Sequence, residues 1–322
     1  MPIDAAEEPT SAAPAEPRLG LSTGALYPTP TEDAPEIAAR HGLFDLEIML
    51  QTRSEYEPPF IRLLGRRCRD AGCRVHAVHV WQQYHPLFAA YPRRAADARD
   101  LFERAIAGTA ELGAAVVVWH GACRDELPGP NAPERALSVV ADLSRACAAA
   151  GLTLGIENVS WCMLRTVRDV GALAARLPEL RAAGAAVGFV FDPFQAVESE
   201  ANPFMLLAAM ADSVVDVHLS DRREGDAGAR HLPPGEGDLM WPALLRAISG
   251  AYRGPLMLEG IVGADLDRLD AARAFLEPML AAIARDDEDP CAAAPPPGLL
   301  EGIRLFNEGD FFEAHEAIEP EW

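Results

Sequence analysis

Four residues close four apolar runs: Glu157 ends Leu-Thr-Leu-Gly-Ile-Glu, Asp192 ends Val-Gly-Phe-Val-Phe-Asp, His218 ends Val-Val-Asp-Val-His, and Glu259 ends Leu-Met-Leu-Glu. If the runs are parallel strands of a closed barrel, their ends share one rim, and three carboxylates with one imidazole make a site for a divalent cation. A single charged strand end is most simply a solvated rim charge. Four at the same end of successive strands point to a metal centre of Glu157, Asp192, His218 and Glu259. The oxygen-rich set favours one Mn2+ or Mg2+, with Co2+ or Zn2+ as alternatives, whereas a structural zinc would select Cys and His. The expected site is therefore catalytic.

Further polar residues fall near the same ends. His79 lies late in the run Arg74 to Trp81, and His120 follows Val-Val-Val-Trp; both are read as substrate contacts. His76 precedes His79 by three residues, so strict strand alternation puts the two on opposite faces. Glu47 is read as ending the second run, and Gln195 and Arg222 as lying on loops after the sixth and seventh. All three are candidates for binding substrate hydroxyls or an anion. Asp238 reads as a helix cap and Cys123 as a buried spectator.

The elements that must position these groups are legible as alternation. From Arg18 onward, short apolar runs alternate with Ala/Leu/Arg segments of helical period. The runs are Leu19 to Ser22, Phe44 to Leu50, Arg74 to Trp81, Ala115 to His120, Leu152 to Glu157, Ala186 to Asp192, Val214 to Leu219 and Pro255 to Glu259. Between them the spacing predicts helices over Arg93 to Leu112, stopping before Gly113, and over Pro133 to Ala150, with Asn131 and Pro133 as start signals. Eight strand-helix repeats predict an α/β fold, a closed (β/α)8 TIM barrel over residues 18–285. An open doubly wound sheet is the alternative. It lacks a Gly-x-Gly-x-x-Gly after any strand.

Composition narrows the chemistry. The formal charge of -21 is concentrated at the ends: of 49 acids, four lie in residues 1–17 and eleven in 286–322, leaving 34 against 27 of the 28 basic residues. A mildly acidic middle without a basic stripe argues against a nucleic-acid partner. Every basic residue is Arg, so Schiff-base chemistry and a P-loop lysine are excluded. The six cysteines form no Cys-x-x-Cys pair and the leader has no signal-peptide pattern. Reduced thiols, a cytoplasmic location and no membrane partner are the expectation.

Gly-Ile-Glu-Asn at 155–158, Phe-Asp at 191–192, His-Leu-Ser-Asp at 218–221, Pro-Gly-Glu-Gly-Asp at 234–238 and Leu-Glu-Gly at 258–260, in this order at strand ends, resemble the xylose isomerase-like superfamily of sugar phosphate isomerases and epimerases. The resemblance implies a metal-dependent isomerase or epimerase acting through an enediolate on a carbohydrate-like small molecule: a sugar, sugar phosphate or related polyol or keto acid. In the ketose 3-epimerase branch, a Glu, Asp, His, Glu set binds one divalent ion and the two glutamates exchange the substrate proton. Carried over, Glu157 and Glu259 become catalytic acid and base, and Asp192 and His218 remain ligands. Trp119, Trp161 and Trp241 are then candidates to stack on the sugar, core packing being the simpler reading.

The chain departs from the pattern where relatives have Asp-x-x-His, because Gln195 replaces the histidine. A trinuclear-zinc endonuclease of the same superfamily is resembled by His79, His120, Glu157, Asp192, His218, His231 and Glu259. Gln195 and the missing Asp-x-His at His231 argue against three metals and leave a two-metal phosphoesterase as the alternative, His231 being grouped here with the substrate contacts. A non-catalytic scaffold is the second alternative.

Residues 1–17, rich in Ala, Pro and Glu, read as a disordered leader, 286–298 as a linker, and 299–322 as a helical tail. The tail's Phe-Glu-x-His-Glu resembles the opening of a small uncharacterised all-helical domain family. It is read as the truncated start of a second domain that packs on the barrel or belongs to a fusion. A homo-oligomer is compatible with all of this.

Overall fold

The computed structural model describes residues 18–81, 85–127, 131–226, 228, 230–285, 298, 301–302, 304–305 and 310–318. The expected leader, and the expected linker apart from Gly298, lie outside them. The chain divides into two units, one ending at Leu280 and the other starting at Ala281.

The first unit is a closed barrel of eight parallel strands in sequence order: β1 Leu19–Ser22, β2 Asp45–Leu50, β3 Arg74–Val80, β4 Val116–Trp119, β5 Thr153–Glu157, β6 Val187–Phe191, β7 Val214–Leu219 and β8 Leu256–Leu258. The strands are buried on both faces, against the lumen on one side and helices on the other, so they read as unbroken apolar runs. Helices α1 Ala34–Arg40, α2 Pro58–Asp70, α3 Pro92–Glu111, α4 Ala132–Ala149, α5 Val167–Ala174, α6 Leu177–Ala182, α7 Pro193–Glu198, α8 Pro203–Met210, α9 Trp241–Ala251 and α10 Asp267–Arg285 lie between and after them. The predicted helices over 93–112 and 133–150 are α3 and α4, each shifted by one residue. Asn131 precedes α4 but its side chain makes no cap bond.

The lower lumen is filled by Ala77, Val116, Val118 and Val190, with Val215 against them. Gly155 belongs to this layer: a Cβ there would meet Val190, Val116 and Val215. Thr153, Gly155 and Glu157 therefore face inward, as alternation predicts.

Two irregularities change which side chains enter the lumen. Between β2 and β3 the register jumps from Leu46↔Val75 to Glu47↔Ala77, leaving His76 extra, and between β6 and β7 from Phe189↔Val214 to Val190↔Asp216, leaving Val215 extra. An extra residue re-aims its side chain. His76, expected to face away from the lumen, instead crosses it: its Nε2 lies 3.1 Å from Tyr252 Oη and 3.4 Å from the Val215 carbonyl. β3 and β7 are on opposite sides of the barrel, so the contact runs through the interior. His76 and His79 both point inward, at different depths.

In the second unit, α11 Phe311–Ile318 follows Asp310, whose carbonyl accepts from Ala314 N–H. Gly302 lies against Ile318. Among the described residues no helix is long and apolar enough to cross a membrane.

Candidate active site

The site is built in two tiers above that apolar layer. Glu47, expected at a strand end, lies midway along β2, fully enclosed beneath the rim. Its Oε1 accepts from Ser22 Oγ at 2.8 Å, its Oε2 is 2.9 Å from His218 Nε2, and His79 Nδ1 is 3.5 Å from Oε1. Against the cost of burial, His218 and His79 hold the Glu47 carboxyl well below its usual range. At that depth Glu47 lies against both histidines and is not among the residues that line the cavity.

With one nitrogen fixed by Glu47, His218 turns the other upward: Nδ1 is 3.3 Å from Glu259 Oε2 and 3.6 Å from Glu157 Oε1. An imidazole oriented by a carboxylate on its far side is the usual support for a metal-ligating histidine. Burial opposes its protonation, but Glu259, Glu47 and Glu157 outweigh that and raise His218 well above the ordinary range.

Asp192 follows β6 and caps α7, Oδ1 accepting from Phe194 and Gln195 N–H at 2.7 and 3.2 Å. Pro193 at the first helical position suits this start. The cap fixes one oxygen and leaves Oδ2 free to face the cluster. Burial, then repulsion from Glu259 and Glu157, pushes the Asp192 carboxyl well above its usual range. Three carboxylates in so small a space strain against one another without a cation.

Glu157 closes β5 with His120 Nε2 at 3.3 Å and His79 Nε2 at 3.7 Å from its Oε2. Despite burial, His218 and His120 hold its carboxyl well below the usual range. Asn158, next in sequence, is a positioning residue that sequence reasoning missed. Its Nδ2 donates to the Asp192 carbonyl and its Oδ1 accepts from Asp192 N–H, both at 2.8 Å, tying the ends of β5 and β6 together. Its place immediately after Glu157 was the available signal.

One atom of each of the four strand-end residues, Glu157 Oε2, Asp192 Oδ2, His218 Nδ1 and Glu259 Oε2, is buried without a hydrogen-bond partner. The four residues form a group whose ligand atoms all lie within 4.8 Å of one another. Buried polar atoms are rarely left unpaired, and an oxygen-rich donor set of this size fits a divalent ion. Two further groups satisfy the same distance, His79, His120 and Glu157, and Glu47, His79, His218 and Glu259.

A cavity of about 710 Å³ opens above, with His79, His120, Glu157, Gln195, His231 and Glu259 at its polar end. Gln195 Oε1 accepts from Ser160 N–H at 3.1 Å. The His231 ring packs tilted against Phe194, centroids 4.2 Å apart, and burial, against the pull of Glu259 and Glu157, lowers its pKa. Tyr27, Trp81, Trp161 and Ile261 form apolar walls, and Arg94, which the sequence did not single out, lies at the edge near Glu126.

Several expectations are corrected. Arg222 does not line the cavity; its guanidinium lies 3.3 Å from Glu198, which Arg230 also holds at 2.6 Å. For the tryptophans the simpler reading of core packing holds for Trp119, enclosed beside Phe102, and for Trp241, whose indole N–H donates to Asp221 at 2.8 Å, while Trp161 lines the cavity. Asp238 does not cap α9, which begins after Met240; it accepts from Glu224 N–H instead. The organising carboxylate of that loop is Asp221, which also accepts from Arg222, Gly235, Gly237 and Leu239 N–H. Cys123 is no buried spectator but a half-buried part of the cavity wall.

Comparison with known proteins yields a family model, the xylose isomerase-like TIM barrel, over residues 35–279, and a domain of unknown function over 299–322. An uncharacterised protein of Mycobacterium leprae (strain TN) is 26% identical over 269 residues, covering 75% of this chain and 88% of that one. Among solved structures, a D-psicose 3-epimerase in the presence of D-fructose superposes with TM-score 0.66 at 16% identity, covering 82% of this chain and 99% of that one. An L-ribulose 3-epimerase gives 0.66 at 18%, with 87% and 99% covered. The 3-keto-D-glucoside 4-epimerase of E. coli gives 0.63 at 18%, with 82% and 100% covered. At these identities the structures share the fold.

Proposed function

Because the chain belongs to the xylose isomerase-like TIM-barrel family, we propose that it is a metal-dependent sugar epimerase or isomerase that works through an enediolate. The observation that carries the reading is the convergence of four buried ligand atoms without a hydrogen-bond partner, from Glu157, Asp192, His218 and Glu259, beside a cavity that Glu157 and Glu259 line. These residues would hold one divalent ion, Mn2+ or Mg2+ by their oxygen-rich character, with Co2+ or Zn2+ as alternatives. Such an ion supplies polarisation of a substrate carbonyl and stabilisation of the negative charge on the enediolate.

The protein's own groups divide the remaining work. Glu157 on β5 and Glu259 after β8 face the space from separate sides of the rim. One removes the proton from the carbon beside the carbonyl, and the other returns a proton to the opposite face. Glu157, held ionised by His218 and His120, suits the accepting role. Asp192 and His218 are anchors, Glu47 and Asn158 set their orientation, and His79, His120, Gln195 and His231 address substrate hydroxyls. Trp161 offers a flat apolar face to the carbon side of a sugar ring.

The test is deuterium exchange from solvent into D-psicose and L-ribulose. The wild-type protein should label the carbon beside the carbonyl, and Glu157→Gln should lower the rate by about 10²- to 10⁴-fold while keeping the fold. Unchanged exchange in the variant would overturn the assignment. The group of His79, His120 and Glu157 favours a second reading, a two-metal phosphoesterase. Two metal equivalents by elemental analysis together with cleavage of abasic DNA would favour it; one equivalent and no cleavage would remove it.

A further inference from the structure

We propose that Cys123 and Cys162 are a redox-modification site in the cavity wall, which a hydroperoxide converts to an intramolecular disulfide. The two thiols face each other across an isolated antiparallel bridge joining the loop after β4 to the loop after β5, with 3.8 Å between their sulfurs. Arg124 N–H donates to the Trp161 carbonyl at 3.2 Å, one residue outside the pair on each strand. That makes the cysteines the non-hydrogen-bonded pair of the bridge, the type whose Cα atoms stand about 4.5 Å apart with side chains close together. Disulfides span Cα separations of about 4.4–6.8 Å, so the backbone is already in range. Closure requires the sulfurs to approach to about 2.05 Å, which rotation of two short side chains supplies most directly.

Access is graded in the order the chemistry needs. Cys123 is half-buried and lines the cavity, and Cys162 is fully enclosed. An oxidant entering the cavity meets Cys123 first. The Cys123 thiolate attacks one peroxide oxygen, the O–O bond breaks, and the sulfur becomes a sulfenic acid as hydroxide leaves and is protonated to water. The Cys162 sulfur then displaces the sulfenic hydroxyl, forming the S–S bond and a second water. Two thiols lose two electrons and two protons, and one hydrogen peroxide becomes two waters. Cys68, Cys73 and Cys147 are buried away from the cavity, and burial pushes the thiols of Cys68 and Cys147 up to about 12. They form the internal control.

The bridge would pin together the two loops that carry His120 and Trp161, whose rings meet edge to face at 5.9 Å. The experiment treats the full chain in a Cys291→Ser background with hydrogen peroxide, followed by non-reducing peptide mapping. The expected product is a monomer lighter by two hydrogens with a Cys123–Cys162 cross-linked peptide, reversed by dithiothreitol and formed at least about tenfold faster than any other thiol is lost, following exposure. Cys162→Ser should instead trap Cys123 as a dimedone-reactive sulfenic acid, and Cys123→Ser should remove both products. Oxidation of wild-type Cys123 to sulfinic acid without a cross-link, a cross-link to another cysteine or between chains, or thiols unchanged when free glutathione is consumed would each overturn the proposal.

Discussion

The two ends of one barrel lumen both carry histidines and acids, and they differ in whether those groups have found hydrogen-bond partners. At the lower end, His76 meets Tyr252 Oη and the Val215 carbonyl, and Asp45 is held by Arg18 at 3.1 Å and Arg74 at 2.9 Å. At the upper end, ligand atoms of Glu157, Asp192, His218 and Glu259 have no hydrogen-bond partner and approach charged neighbours only at ion-pair distances such as 3.3 Å between His218 Nδ1 and Glu259 Oε2. Between them, burial and then Glu47 push the Asp216 carboxyl well above its usual range, whereas the histidines beside Glu47 hold that carboxyl well below it. Polar groups that satisfy each other hold a fold together, and groups left over in a shaped cavity await a ligand.

The sharpest way to break this comparison is Glu259→Gln. It should lower epimerase-type exchange by about 10³-fold, equivalent to about 4 kcal/mol of barrier, while thermal unfolding shifts little. A collapse of stability with proportionate activity would place Glu259 among the structural groups.

Next in size is His85, a histidine near the upper end whose neighbours are structural: Nδ1 bonds the Trp81 carbonyl at 2.9 Å, and the ring packs on Tyr56 and Phe102. Burial lowers its pKa from 6.5 to about 4. The unfolded chain therefore takes up the proton first, and stability falls as pH drops through about 6.5 towards 4. The loss reaches up to about 3 kcal/mol. Urea unfolding at pH 7 and pH 4 should show the advantage of wild type over His85→Gln shrinking by that amount; a constant difference would remove the explanation.

Gly188→Ala probes how full the lower lumen is. Its Cβ would lie 2.5 Å from Val215 Cγ1 and 2.6 Å from the Ser213 carbonyl, and overpacking of this kind costs about 1–3 kcal/mol. An unchanged melting temperature would show that the lower lumen yields. The smallest effect belongs to Asp45→Asn, since Arg18 and Arg74 are 43% and 66% exposed and solvent screens the pairs. A loss of about 1 kcal/mol with metal content unchanged is expected, and lost metal would join the two ends.

The strands were legible because burial on both faces writes each as a continuous apolar run. β1 and β7 coincide with the runs Leu19 to Ser22 and Val214 to Leu219, and the others differ only at their ends. Glu157, Asp192, His218 and Glu259 were legible for the same reason, each closing such a run. Arg222 misled because its partner Glu198 comes from a different element, the end of α7, and Glu47 because depth along a strand is set by stagger with its neighbours. Cys123 looked inert because Cys162 lies beside it only once the loops after β4 and β5 are brought together.

The sequence by itself determined the eight-stranded barrel and the residues that close its last four strands, since periodicity and strand ends are local properties of the chain. Only the tertiary structure decided that His76 enters the lumen, that Glu47 supports His218 from below, and that Asn158 clamps Asp192. The first goes with a one-residue register shift, and the others rest on contacts between residues far apart in the chain. A register shift leaves composition and spacing unchanged, yet it reverses where a side chain points.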